Sequence, residues 1–306
     1  MTTRTSQSRR TSVLIVGFGQ MGHAMQALLV NRAHLSIWRI TPENQQPSPA
    51  VRKTAKQAEF ILLCVPTMAI AIALTHLQAH LTKHAVVLSV AKGLDEAGRT
   101  AADILQSQLG VRGCWGILGG PMIATELRAG RSGFAELGSR SVMTQRLVGR
   151  LFLSTQLHIT LSHNPRAVSW CGVLKNVYVP LFGLADGLGW GDNLRGQLAG
   201  AALAEINLLV QRFSGARHAA DGSAGLADLI TTATSHSSHH RALGWRVAHG
   251  DRHIPQGEGP HTVRVLQRDE SMPSARTFPL LHVAAALMRR PATARAKLSA
   301  WIDTTA

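Results

Sequence analysis

Hydrophobic and polar positions along the first half of the chain alternate between two textures. SVLIVG, beginning at Ser12, is an apolar, β-branched run that reads as a buried parallel strand. The segment after it, MGHAMQALLVNR, carries helical spacing at Met21, Met25, Leu28 and Leu29, and LSIWRI then reads as a second strand. Strand, helix and strand in that order make a βαβ unit. The pattern continues with FILLCVP near 60, a helix over 69–80, AVVLSVAKG near 90, a helix over 96–109 and a strand around 115–118. Such alternation predicts a doubly wound, mainly parallel sheet covered on both faces, a Rossmann α/β domain. From His163-Asn164-Pro165 onward the texture is helical, with Gly-rich turns and no convincing strand. The expected organisation is a flexible polar leader at 1–12, a Rossmann domain at 13–165 and an all-α domain at 166–306.

The first strand-to-helix turn is Gly17-Phe18-Gly19-Gln20-Met21-Gly22, a GxGxxG that follows a strand and opens a helix. In that setting the first glycine permits the tight turn, the second lets backbone approach a pyrophosphate, and the third allows close helix packing. The helix start adds N–H donors and positive potential, so NAD or NADP is the expected cofactor. An acid at the end of the second strand would bond a ribose 2′-hydroxyl; here Trp38-Arg39 stands instead, and Arg39 leans toward the 2′-phosphate of NADP.

Composition narrows the class. Apolar residues make up 45% and charged residues 16%, which suits a folded, soluble chain. The formal charge of +15 draws anions of many kinds, but the basic residues are scattered and form no RNA-binding signature, so no specific nucleic acid is expected. Cys64, Cys114 and Cys171 form no CxxC pair, which fits a reducing compartment and a cytoplasmic location. SRRTSVL has the outline of a twin-arginine signal, yet its apolar run ends at Gly17, too short for export. No run reaches the roughly 20 apolar residues of a membrane span, so stable insertion is not expected. Homodimerisation is the expectation for an oligomer of this type.

Four positions carry candidate chemistry. Lys175 sits with Val168, Cys171, Tyr178 and Phe182 at spacings of three and four, a lysine in an apolar helical stripe. Desolvation there would lower its pKa and suit it to proton transfer. Lys92 closes the strand VVLSVAKG at the carboxyl edge of the sheet, where ligands of open α/β folds collect. Asp228 and Thr232, four apart in GLADLITTAT, share one face if that segment is helical. His236, His239 and His240 form HxxHH without HExxH or cysteine partners, and no metal is expected there.

Taken in order, GFGQMG, ILLCVP, VAKGLD, the Gly-Gly-Pro at 119–121, GVLKNVYVPLFGLADGLGWGDNLRGQL, GLADLITTATS and GEGPHT resemble the bacterial NAD(P)-dependent glycerol-3-phosphate dehydrogenase family from about Val13 to Ala286. The resemblance implies reversible reduction of dihydroxyacetone phosphate to sn-glycerol 3-phosphate, which feeds glycerophospholipid synthesis. It implies Lys175 as the acid/base, Lys92 as a contact of substrate and cofactor, and Asp228, Thr232 and Asn193 as substrate contacts. Glu258 would be a late cofactor contact. Two motifs depart from the family. Its Ser-Arg-Asn-Arg is Ser238-His239-His240-Arg241 here, and its Gly-Pro-Ser-Phe-Ala-Lys-Glu is Gly120-Pro121-Met122-Ile123-Ala124-Thr125-Glu126. A bidentate arginine is not mimicked by histidine, and Arg241 is the expected substitute on the substrate phosphate. A dehydrogenase of another small anionic hydroxy or keto compound, and a non-catalytic dinucleotide-binding paralogue, stay open as alternatives.

Overall fold

The computed structural model describes residues 10–41, 45–111, 113–268 and 272–304. Residues 1–9 of the expected leader lie outside these; Thr11 and Ser12 already belong to the first strand. The first half alternates as read: β1 (Thr11–Val16), α1 (Gln20–Leu29), β2 (Ala33–Trp38), α2 (Pro49–Ala55), β3 (Phe60–Leu63), α3 (Thr67–Leu77), β4 (Val86–Ser89), α4 (Ala101–Leu109) and β5 (Trp115–Gly119). Every residue of β3, β4 and β5 is buried, which is why they appear as continuous apolar runs.

The sheet has seven strands in the order β2-β1-β3-β4-β5-β6-β7, where β6 is Gly133–Gly138 and β7 is Leu157–Ser162. Helices α5 (Ala124–Arg128) and α6 (Val142–Phe152) connect these last strands. Strands β1 to β5 run parallel, β6 is antiparallel to β5, and β7 is parallel to β6. Pattern reading passed over β6 and β7. The first is bounded by two glycines, and the second is an edge strand whose Leu161 is 58% exposed, so neither carries a buried run. The helix expected from 96 starts at Ala101. Asp95 accepts from the Ala97 and Arg99 backbone, Gly98 turns with φ +74°, and Thr100 and Asp103 close a capping box.

Beyond the sheet the described chain is helical: α7 (Pro165–Gly187), α8 (Gly191–Ser214), α9 (Asp228–Thr234), α10 (His239–Ala248), α11 (Glu258–Arg268), α12 (Pro279–Arg289) and α13 (Ala294–Asp303). Helix α7 is the axis. Every residue from Ala167 to Ala185 is buried, because α7 packs on the carboxyl ends of β5 and β6 and is wrapped by α8, α9, α10, α11 and α12. The apolar stripe expected around Lys175 is therefore a helix with no solvent face. By length and composition α7 is also long and apolar enough to cross a membrane, contrary to the reading that no segment is, but its apolar window is wholly buried inside the fold.

Helices α7 and α10 meet at backbone distance. A Cβ on Gly183 would lie 1.8 Å from the Arg241 carbonyl oxygen, and one on Gly244 would lie 1.8 Å from that of Pro180. Only glycine allows this crossing, and the crossing carries the start of α10 to the middle of α7. Gly244→Ala is expected to lower unfolding stability in urea by about 2 kcal/mol or more through overpacking. Gly200→Ala, on the exposed side of α8 with no atom near the added methyl, is the control and is expected to stabilise by about 0.5–1 kcal/mol.

Candidate active site

Strand order places a topological switch at β1 and β3, since the chain leaves β1 toward β2 on one side and returns to β3 on the other. The glycine loop follows β1 at that switch. Gly17 takes φ +87°, and a Cβ there would lie 2.6 Å from the Cys64 carbonyl oxygen at the end of β3. A Cβ on Gly22 would lie 2.3 Å from the Gly17 carbonyl, so the third glycine seats α1 against the loop. At Gly19 an added Cβ meets nothing within 4 Å. Gly19 also caps α1 without a side chain, and the first turn holds no acid. The loop thus presents a bare helix start to open space, which fits a pyrophosphate. Arg39, just past β2, lies with its guanidinium carbon 4.6 Å from the centroid of the Phe18 ring, a cation–π contact that holds it over the loop.

Next to the loop lies a cleft of about 580 Å³ between the strand ends and the helical half. Gln20, Met21, Lys92, Lys175, Asp228 and Thr232 all line it, with Glu258. These seven come from five segments far apart in sequence, and the geometry joins four of the residues directly. Lys175 Nζ donates to Thr232 Oγ1 at 2.7 Å and lies 3.5 Å from Asp228 Oδ1. Lys92 Nζ pairs with Asp228 Oδ2 at 2.6 Å and donates to the Gly120 carbonyl at 2.9 Å. Thr232 Oγ1 donates to the Asp228 carbonyl at 2.7 Å, the four-residue contact of a helix, and this fixes the hydroxyl that receives Lys175. One carboxylate therefore serves two ammonium groups.

Local sequence makes this possible. Gly120, with φ +132°, turns its carbonyl toward Lys92, and Gly172 on α7 clears space for the lysine stem, since a Cβ there would lie 3.0 Å from Lys92 Cγ. Asn176, which sequence reading did not single out, donates from Nδ2 to the Lys92 carbonyl at 2.9 Å and to Glu258 Oε2 at 3.1 Å. Its Oδ1 is buried without a protein partner and its side chain lines the cleft, so one acceptor remains for a ligand. The only advance signal was its place directly after Lys175.

Burial drives the electrostatics. Lys175 is pushed down to about 8 by desolvation; Asp228 opposes that shift and the neighbouring Lys92 adds to it. Burial pushes Glu258 up, and the two lysines pull it back. His240 falls to about 2 and His239 also falls, chiefly through burial, with the nearby positive charge of Lys175 acting in the same direction.

Two expected contacts are not in the cleft. Asn193 is exposed in the first turn of α8. Arg241 turns away from the cleft: its Nε and Nη2 pair with Asp186 Oδ2 at 2.8 and 2.7 Å, so the guanidinium expected on a substrate phosphate is spent on a carboxylate of α7. His239 and His240 do line the cleft, with ring centroids 4.2 Å apart, whereas His236 is exposed.

A glycine loop at a switch point, joined by a cleft to a buried lysine with a lowered pKa, defines a two-domain, dinucleotide-dependent oxidoreductase. Comparison with known proteins narrows this. Residues 20–141 match the model of the NAD-dependent glycerol-3-phosphate dehydrogenase N-terminus, and residues 164–294 match that of its C-terminus. The chain belongs to the NAD-dependent glycerol-3-phosphate dehydrogenase family. It is 29% identical over 259 residues to the glycerol-3-phosphate dehydrogenase [NAD(P)+] of Moorella thermoacetica, covering 77% of each chain. With the Rhizobium johnstonii enzyme of the same name it is 30% identical over 216 residues, 69% of this chain and 66% of that one. Its fold is that of the glycerol-3-phosphate dehydrogenase of Coxiella burnetii, with a TM-score of 0.81 at 21% identity over 94% of this chain and 98% of the other.

Asp228→Asn removes the carboxylate that both ammonium groups contact directly. It is expected to cost about 3–5 kcal/mol of stability at pH 6. The loss should be smaller at pH 9, where Lys175, with its pKa near 8, is already mostly neutral and has less need of the carboxylate. Urea melts of both proteins at the two pH values check the sign.

Proposed function

We propose that the protein reduces dihydroxyacetone phosphate to sn-glycerol 3-phosphate with NADPH or NADH, reversibly, and that Lys175 is its acid/base. The observation that carries this reading is the buried ammonium of Lys175, held on Thr232 and Asp228 at the wall of the cleft beside the glycine loop. Reduction of a ketone requires a hydride on carbon and a proton on oxygen, aligned in one site. A bound reduced nicotinamide supplies the hydride. Lys175 supplies the proton: its ammonium is desolvated, so it gives up the proton more readily than a surface lysine as charge builds on the substrate oxygen. Thr232 and Asp228 keep the Nζ in place, and Asp228 balances the charge that remains on Lys92. Lys92, fixed by the Gly120 carbonyl, stabilises the developing alkoxide electrostatically. Asn176 and Glu258 couple the Lys92 backbone to α7 and α11.

Gly17, Phe18, Gly19, Gln20, Met21 and Gly22 would receive the pyrophosphate at the start of α1. Arg39, held over Phe18, would receive a ribose 2′-phosphate, which favours NADP over NAD.

The direct test follows absorbance of NADPH and of NADH with purified protein and dihydroxyacetone phosphate. Oxidation that depends on the ketone is expected; none, despite dinucleotide binding, would sink the proposal. Lys175→Ala is expected to reduce kcat by about 100-fold or more while leaving dinucleotide affinity within about twofold, because only the proton donor is lost. Equal loss of both would argue for a structural lysine. Reduction needs the protonated amine and should decline as pH rises through about 8, whereas oxidation of glycerol 3-phosphate needs the free amine and should rise through the same pH. Arg39→Ala should raise the KM for NADPH about tenfold or more and leave that for NADH nearly unchanged; a parallel rise in both would remove Arg39 from the 2′-phosphate site.

A further inference from the structure

The wall of the cleft at the start of α10 differs in chemistry from the rest. Ser237, Ser238, His239 and His240 line it. His240 is only 8% exposed, its ring lies against that of His239, and among the described residues no hydrogen bond reaches it. Desolvation and the positive charge of Lys175 lower the pKa of both rings, most strongly at the buried His240, so near neutral pH each ring offers one neutral donor and one acceptor. No arginine is among the residues lining the cleft. Arg241 is bound to one oxygen of Asp186, and Arg195 donates to the other at 3.1 and 2.7 Å, which leaves that carboxylate saturated and both guanidiniums outside. The two ammonium groups that do face the cleft share Asp228.

This wall therefore presents hydroxyls and neutral imidazoles, with no fixed positive charge, to whatever end of a ligand lies away from Lys175. Such groups pair well with a ligand hydroxyl. They give a phosphate dianion less than a guanidinium would, because charge-assisted bonds are the strong ones. We infer that the protein has a second activity, reduction of unphosphorylated α-hydroxyketones whose distal end is a hydroxyl, at the same centre. This rests on the reading of Lys175 as the proton donor to a ketone. The carbonyl carbon takes a hydride from the reduced nicotinamide and forms a C–H bond. The carbonyl π bond breaks, and its oxygen takes the proton of Lys175. The ketone is reduced by two electrons to the alcohol, and the dinucleotide is left oxidised.

Dihydroxyacetone and dihydroxyacetone phosphate, compared side by side with NADPH and the full chain, test this. Their kcat/KM values are expected to lie within about 100-fold of each other, since a neutral wall separates them by no more than ordinary hydrogen bonds. His239→Arg should move the ratio about tenfold or more toward the phosphate by adding the missing charge. A wild-type preference for the phosphate beyond about 100-fold, or a ratio unmoved by His239→Arg, overturns the inference. Turnover of the phosphate alone would overturn the second activity and leave the main reaction standing. Turnover of dihydroxyacetone alone would do the reverse, and turnover of neither would overturn both. Calorimetric titration of the NADP-saturated protein with inorganic phosphate gives a readout apart from turnover: binding weaker than about 10 mM supports the neutral wall, and binding tighter than that contradicts it.

Discussion

Helix α7 has no side on which to leave a polar group in water, and much of the molecule follows from that constraint. From Ala167 to Ala185 each residue is buried, so Ser169, Lys175, Asn176 and Tyr178 need partners from other elements. Ser169 accepts from the Ala102 backbone, and Lys175 finds Thr232 and Asp228. Asn176 reaches the Lys92 carbonyl and Glu258. Tyr178 donates to Glu205 at 2.8 Å, and that carboxylate in turn accepts from the Leu280 and Leu281 backbone at the start of α12. Ser169 thus engages α4, Lys175 engages α9, Asn176 engages the chain just past β4 together with α11, and Tyr178 engages α8 and, through Glu205, α12. These bonds tie α4, α8, α9, α11 and α12 to α7.

The same constraint creates the chemistry. A lysine inside a helix of this kind is costly to charge, and its pKa falls toward neutrality; a single shared carboxylate offsets enough of the cost for the ammonium to persist there. An ammonium group that titrates near physiological pH is the result. The segment after β1 is organised by the opposite means. The glycine loop works by absence, with backbone close to Cys64 and Gly17 on one side and open space over Gly19 on the other. Charge is concentrated on the lysine side of the cleft and thins out toward His239 and His240.

How legible these features were depends on how local their causes are. The loop from Gly17 to Gly22 is contiguous and its physics is that of one turn, so it could be read directly. The pairing of Asp228 with Thr232 follows from helical spacing, and the position of Lys92 from the end of its strand. Arg241 was read as a substrate contact because its neighbours in sequence pointed that way. Its actual partner, Asp186, lies 55 positions earlier, and no local pattern links them. Strands β6 and β7 escaped notice since an edge strand and a glycine-bounded strand bury no continuous run.

The sequence by itself determined the alternating Rossmann half, the glycine loop, the helical half and the titratable residue types available to the site, because each depends on interactions within about one turn or one strand. Only the tertiary structure decided that Lys175 and Lys92 share one carboxylate, that Asn176 ties their segments together, and that Arg241 is withheld from the cleft while two neutral histidines face it. Those outcomes depend on groups 53 to 136 positions apart meeting at contact distance. Desolvation, which lowers the pKa of Lys175 and of the two histidines, exists only once the surrounding helices have closed.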